Sequence, residues 1–232
     1  MDFFDVIKKR RSVRKFTDQK VEATLINKAL DAALIAPNSS NMQPWEFYWI
    51  QDPLKKQNLI EACFSQNAAK TAQELIFVIA RLDTWKRNRK LILEWAHKLK
   101  SPPKVLFDYY QKLIPLAYSR DPFYIKDIFS YILTTLVGLF RPTPRTYFGR
   151  ARQFEGASKS TALACENFML VLVAQGLACC PMEGFDEKRV KKILKLNRHC
   201  HVVMGIGIGY AAEDGVYADQ FRISRDLVVK KL

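Results

Sequence analysis

Two short polar runs near the start of the chain carry residue types suited to holding an anion and a polar ring. The first is Arg10-Arg11-Ser12-Val13-Arg14 and the second is Asn38-Ser39-Ser40-Asn41-Met42-Gln43-Pro44-Trp45. Guanidinium forks match a phosphate bidentately, and a serine hydroxyl adds a further donor. Each such charge-assisted bond contributes about 1.5–3 kcal/mol when water is excluded. On its own, R-R-S-V-R also fits a basic helix end or a phosphorylation-type motif. The second run offers amides and hydroxyls closed by the rigid Pro44, and polar loops are common. Neither run is needed to build a core. Together they suit a ligand with a phosphate and a polar heteroaromatic edge, and within one chain they read as two walls of one pocket.

Familiar protein-borne catalytic arrangements are missing. The chain has no G-x-S-x-G, no H-E-x-x-H and no P-loop. Its five cysteines (Cys63, Cys165, Cys179, Cys180, Cys200) are odd in number and form no C-x-x-C pair. No local signature supports a cysteine–histidine couple. His199-Cys200-His201 invites a metal, but in a strand Cys200 points opposite to its two neighbours, and His97 is the only other histidine. No metal is expected, and free cysteines suit a reducing cytoplasm. If the chain is an enzyme, a cofactor supplies the reactivity and no side chain is catalytic by itself.

The elements that must position these runs follow from periodicity. Ala23 to Ile35 sets Leu25, Ile26, Ala29, Leu30, Ala33 and Leu34 on one stripe, an amphipathic helix that must stop before Pro37. The Asn38–Trp45 run is then a loop feeding a strand at Glu46–Ile50, and Leu75–Ala80 is a strand buried on both faces. From Arg81 to Gly156 the chain reads as helical pieces cut by prolines 102, 103, 115, 122, 142 and 144, an elaboration on the scaffold. Its aromatic set (Tyr109, Tyr110, Tyr118, Phe123, Tyr124, Phe129, Tyr131) fits packing or a lid. The apolar stretch Ile128–Phe140 is too short to cross a bilayer and suits a buried helix or a lid.

Thr161 to Ala174 is apolar almost all round, which places it inside a domain or at a subunit interface, with Gly176 as its cap. Asp186 caps a basic helix with Val190, Ile193 and Leu194 inward. In a strand at Val202–Tyr210, Val203, Gly205, Gly207 and Gly209 share one face, leaving room for a helix or another backbone. The glycine row is no dinucleotide fingerprint, since G-x-G-x-x-G fails at Tyr210, so a Rossmann fold is excluded. At 232 residues the chain fits one large domain or two small ones, and 49% apolar content marks it as globular. With the region at about 81–156 read as a variable helical elaboration that has no core pattern of its own, 1–232 is expected to be a single domain. The first residues carry acids where a secretory signal has a basic segment. The net charge of +14 admits nucleic acid, an anionic membrane or an anionic cofactor, but its basic residues are dispersed and suit solvated helix faces.

Two further elements complete the pattern: Pro181-Met182-Glu183-Gly184-Phe185 after the apolar helix, and Arg222 near the C-terminus. With R-R-S-V-R-K-F, A-P-N-S-S-N-M-Q-P-W-E-F, Asn67-x-x-Lys70 before the apolar strand, Gly176 ahead of P-M-E-G-F, and an arginine ahead of Val228-Val229, the sequence resembles the FMN-dependent nitroreductase family. The resemblance covers roughly residues 1–80 and 157–230.

It implies an α+β fold with a mostly antiparallel central sheet wrapped by helices, assembled as an intertwined homodimer. Arg10, Arg11, Ser12 and Arg14 would hold the phosphate, ribityl chain and pyrimidine edge of a tightly bound FMN, with Arg222 at the phosphate. Asn67 and Lys70 would approach the polar side of the isoalloxazine. A turn of Pro181, Met182, Glu183 and Gly184 would lie against the ring, offering a backbone N–H to N5. Pro37, Asn38, Ser39 and Ser40 would come from the second subunit, with Gln43 as an added contact, so the two opening runs would meet only across the dimer. Family members usually carry a proline two residues after the closing arginine and a basic residue two before it; here those positions hold Ser224 and Gln220.

The implied activity is ping-pong hydride transfer from NAD(P)H through flavin to a nitroaromatic, quinone or similar acceptor. Other outcomes on the same fold are reductive dehalogenation, enone reduction, flavin fragmentation, or flavin storage with little turnover. A nucleic-acid binder is not expected, and contact with a membrane surface is a remote alternative.

Overall fold

Leu75 to Ala80 is apolar at every position and has no solvent-accessible side chain, so it must lie inside a sheet covered on both faces. The computed structural model, which describes residues 2–119, 125–143 and 149–232, places it there. Strands β1 (Trp45–Trp49), β2 (Glu74–Arg81), β3 (Ala178–Met182) and β4 (Cys200–Gly209) form one antiparallel sheet in the order β1-β2-β4-β3. Ile76 faces Trp49 on one side and Ile206 on the other. β3 is an edge, and Pro181 lies in it opposite Ile206, where a missing N–H leaves no inner rung unpaired.

One face is covered by α2 (Ala23–Leu34) and the 25-residue α9 (Arg150–Ala174), through Ile26, Ala29, Phe168 and Leu172 against Ile76, Val78, Ile206 and Ile208. The other is covered by α3 (Pro53–Ala62), the single turn α4 (Asn67–Lys70) and α10 (Glu187–Ile193), through Leu59, Ala68, Ala69 and Val190 against Leu75, Phe77 and Ile79. Local rules set the ends. Asp52 accepts from Leu54 and Lys55 N–H ahead of Pro53 at the first helical position, and Asp186 accepts from Arg189 N–H. Gly176, at φ +85°, turns the chain out of α9.

The glycine face of β4 is where the fold makes room. A Cβ on Gly207 would stand 2.1 Å from the Ala68 carbonyl oxygen of α4, and one on Gly209 would stand 2.9 Å from Phe16 Cβ. Val203, expected on that face, is not there. β4 carries it as an extra residue opposite the Val78–Ile79 step, and this bulge sends Val203 to the α2–α9 side.

Further expectations change. The helix read at Thr161–Ala174 begins at Arg150 and is not buried all round. α2 and the sheet take two of its sides, while Ala162, Leu163 and Glu166 face outward. In the elaboration, α5 (Trp85–His97), α6 (Lys104–Asp108), a π-helical turn (Tyr109–Leu113) and α7 (Ile114–Tyr118) gather Ile92, Tyr110 and Ile114 around Met42. Tyr109, Tyr110 and Tyr118 therefore pack, whereas Phe123, Tyr124, Pro122 and Pro144 lie outside the described residues. The Ile128–Phe140 stretch is not a buried helix. It lies in and just beyond α8 (Ile125–Val137), whose Ser130 and Thr134 turn inward while Ile128, Phe129, Ile132 and Leu136 are exposed. Among the described residues no helix is long and apolar enough to cross a membrane. A short α1 (Phe3–Lys9) and α11 (Arg225–Val228) complete the chain.

The seating of α4 gives a test. Gly207→Ala forces backbone overlap and is expected to cost about 1–3 kcal/mol, read as a lower urea midpoint. An unchanged midpoint would mean that α4 does not rest on β4.

Candidate functional site

The chain leaves α1 with Arg10 N–H closing the last turn on the Val6 carbonyl at 2.9 Å, which points the arginine run away from the helix. It then runs extended beside the edge strand. Val13 N–H donates to the Cys179 carbonyl at 3.1 Å, Arg14 N–H to Gly215 at 2.7 Å, and Phe16 N–H to Thr71 Oγ1 at 3.1 Å. Val13 and Phe16 turn into the core beneath the sheet. Arg10, Arg11, Ser12 and Arg14 are left facing a cavity of about 290 Å³ whose other wall is residues 216–222, Arg222 included. The structure thus brings together every predicted phosphate-side residue from both ends of the chain.

The donors in this cavity carry little compensating charge. Arg10 Nε stands 3.6 Å from Glu166 of α9, and Asp219 lines the wall. Arg11 donates to the Ala218 carbonyl at 2.5 Å, Arg222 to the Phe221 carbonyl at 2.7 Å, and Arg14 stacks 5.0 Å from the Tyr217 ring. Among the described residues Arg11, Arg14 and Arg222 form no ion pair. A donor-only set of guanidinium groups around one cavity suits a phosphate monoester.

A second group adjoins it. α4 presents Asn67 and Lys70 to solvent, and the Thr71 hydroxyl that accepts from Phe16 N–H itself donates to the Asn67 carbonyl at 2.8 Å. Gln66, just ahead of α4, donates through Nε2 to the Gly184 carbonyl at 2.8 Å. The Gly184 N–H has no acceptor among the described residues. The expected turn over residues 181–184 is corrected in part: Pro181 and Met182 belong to β3, Met182 is buried, and only Glu183 and Gly184 form the exposed turn. The reason is the ladder, which continues to the Met182–Gly205 rung.

The Asn38 run lies elsewhere in the chain. Pro37, Asn38 and Ser39 line a separate cavity of about 500 Å³ with Tyr118, Ser160 and Leu163, and Gln43 lines another with Trp45 and Trp95. Within one chain, then, the two runs are not walls of one pocket. Ser40, Asn41 and Gln43 all hold positive φ, at 57°, 48° and 46°. This left-handed stretch is held by Asn38 Oδ1 accepting from Gln43 N–H at 2.8 Å, by a 2.5 Å bond between Ser40 Oγ and the Tyr109 hydroxyl, and by the Tyr110 hydroxyl donating to the Ser40 carbonyl.

Tyr217, Asp219, Glu166, Gln66 and Thr71 were not foreseen. Tyr217 and Asp219 sit in an irregular segment with no periodicity, and the other three matter only through partners distant in sequence. The thiols offer no exposed nucleophile. All five cysteines are buried, and burial pushes Cys63 up to about 11 and Cys165 and Cys179 up to about 12. Cys180 is also raised by burial, with Arg14 acting in the opposite direction. His201 pairs through Nδ1 with Glu187 at 3.0 Å, away from the arginine cavity.

Comparison with known proteins points one way. Residues 7–210 match the model of the nitroreductase family. Protein DrgA of Synechocystis sp. is 28% identical over 215 residues, covering 92% of this chain and 86% of that protein. The NADH dehydrogenase of Thermus thermophilus is 26% identical over 218 residues, covering 94% and 90%. A protein of Exiguobacterium sibiricum, solved in complex with FMN, superposes with a TM-score of 0.72 at 22% identity, covering 100% of this chain and 98% of that one.

The buried, raised thiols make a prediction. In the native protein at pH 8, no cysteine is expected to react with Ellman's reagent on the timescale on which all five react in guanidinium. A fast-reacting thiol in the native protein would contradict their burial.

Proposed function

This chain belongs to the nitroreductase family of oxidoreductases, and we propose that it binds FMN and passes reducing equivalents from NAD(P)H to a nitroaromatic, quinone or similar acceptor in two half-reactions. The observation that carries this reading is the single cavity shared by Arg10, Arg11, Ser12, Arg14 and Arg222, joined through Thr71 and Gln66 to α4 and the Glu183–Gly184 turn. The donor chemistry fits the group. Arg10, Arg11, Ser12 and Arg222 would take the phosphate, Arg14 and Lys70 with Asn67 the pyrimidine edge, and the Glu183–Gly184 backbone the reactive ring. When bound, FMN supplies the two-electron chemistry that no side chain here offers.

The chain's own residues set the electrostatics. Reduction places negative charge at the pyrimidine end, and the Lys70 and Arg14 cations would stabilise it there. The Gly184 N–H would hold a donor at a fixed place, and a glycine permits close approach of the backbone. Burial of all five thiols keeps alternative nucleophiles out of the site.

We further propose a homodimer in which Pro37, Asn38, Ser39 and Ser40, with Gln43, complete the partner's site. Support comes from large apolar surfaces that one chain leaves open: Leu163 on α9, the outer side of α8, and a C-terminal segment whose Phe221 is 80% exposed beside Arg222. The name of the Thermus thermophilus relative supports NADH as a donor. The whole chain would act as one domain, with residues 81–156 shaping the acceptor side.

The test is the visible spectrum. Purified protein is expected to be yellow or to take up added FMN, and to bleach under NADH or NADPH without oxygen. Arg10→Ala and Arg222→Ala are each expected to weaken FMN retention by about tenfold or more, from loss of one charge-assisted contact, while melting as the parent does. A colourless protein that takes up no FMN would end the proposal, and unchanged retention in both variants would move the phosphate elsewhere.

A further inference from the structure

We propose that Gln66 is a positioning residue that clamps the Glu183–Gly184 turn to the start of α4, so that one side chain sets the spacing between two walls of the site. The assignment of those walls to the flavin rests on the function proposed above; the clamp itself rests on geometry. Gln66 Nε2 donates to the Gly184 carbonyl at 2.8 Å and to the Cys63 carbonyl at 3.1 Å. Both partners are acceptors, so the position needs two protons on one nitrogen, which a primary amide has. The main chain of the same residue starts α4, its carbonyl accepting from Ala69 N–H at 2.9 Å and Lys70 N–H at 3.0 Å.

The clamp spans a gap that the sheet leaves open. The last rung of β3 pairs Met182 with Gly205, and the next long-range backbone bond is Asp186 N–H to the Ala62 carbonyl at 2.8 Å. Between those anchors Phe185 N–H bonds only locally, to Glu183 at 3.1 Å, while its ring packs edge-on against Phe77. The Gln66 amide is therefore the polar tie on the exposed part of the turn. Its own backbone is held from the other side: Phe64 and Ser65, at φ 56° and 51°, make the sharp bend between α3 and α4, and Ser65 N–H donates to Ile60 at 3.0 Å. α4 in turn cannot retreat, because Gly207 brings the β4 backbone against Ala68.

The experiment uses Gln66→Met and Gln66→Glu, which keep the side-chain length and, with the glutamate ionised, donate no hydrogen bond. In the flavin-free protein, amide exchange at Phe185 and Asp186, whose N–H groups are bonded to the Glu183 and Ala62 carbonyls, is expected to speed up by about tenfold in both variants, as for loss of an ordinary hydrogen bond or two. Thr71→Val, which releases Phe16 and leaves the turn untouched, is expected to leave that exchange unchanged. In the FMN-loaded protein, the affinity for reduced relative to oxidised flavin is expected to shift by about tenfold in the Gln66 variants, about 30 mV on a two-electron couple. The affinity for oxidised FMN, governed by the distant arginines, should change much less. Exchange at Phe185 and Asp186 that matches the parent in both variants would overturn the clamp. Faster exchange with an unmoved potential would overturn its role toward the flavin. If the parent takes up no FMN, the functional reading fails while the exchange measurement still decides the clamp.

Discussion

The close approach of backbone to backbone at Gly207 is the constraint on which the site depends. With no Cβ there, the Ala68 carbonyl lies where a side chain would otherwise stand. α4 can therefore sit directly on β4, and through Thr71 and Gln66 it reaches both the Arg14–Phe16 segment and the Glu183–Gly184 turn. The same glycine-bearing face admits Phe16 against Gly209. Residues drawn from three distant parts of the chain are thus referred to one rigid strand. Loops are the usual carriers of such residues, and a buried scaffold is what makes their spacing reproducible.

The arginine cavity shows how charge is concentrated without a dedicated domain. In the extended segment Val13 alternates with Ser12 and Arg14, so Val13 anchors while its two neighbours face the cavity, and Phe16 turns into the core past the end of that alternation. The C-terminal wall supplies carbonyl oxygens and a tyrosine ring more than carboxylates, which orients the guanidinium groups without neutralising them. Glu166, reaching Arg10 from α9, is the exception. It links the cavity to the one side of α9 that neither α2 nor the sheet covers. The outward residues of α9 and the bulky outer side of α8 both call for an apolar partner, since such surfaces are costly to leave in water. A second copy in the proposed dimer would meet that need and would bring the Asn38 loop to the arginine cavity.

Much of the fold was legible in the sequence because it is encoded locally. The stripe of Ile26, Ala29 and Ala33 makes α2, and Pro37 ends it. The unbroken Leu75–Ala80 run makes a central strand, and Asp186 and Gly176 mark helix ends. The arginine run and Arg222 were legible as residue types suited to an anion, and the structure brings them to one cavity. What failed failed for non-local reasons. α9 starts early because Arg150–Ser160 has weak apolar periodicity and packs through small residues such as Ala157. Val203 changes face because of a bulge that no single strand reveals. Met182 joins the edge strand because β4 is long enough to pair with it.

The sequence by itself therefore determined which residue types are suited to holding an anion and where most helices and strands lie, because spacing, capping and proline stops act over a few residues. Only the tertiary structure decided which of those segments meet. It joined Arg10–Arg14 to residues 216–222, tied Gln66 to Gly184, and kept Asn38–Gln43 in cavities of their own. These outcomes come from long-range packing on the bare face of β4 and from strand register, where each contact depends on all the others being in place.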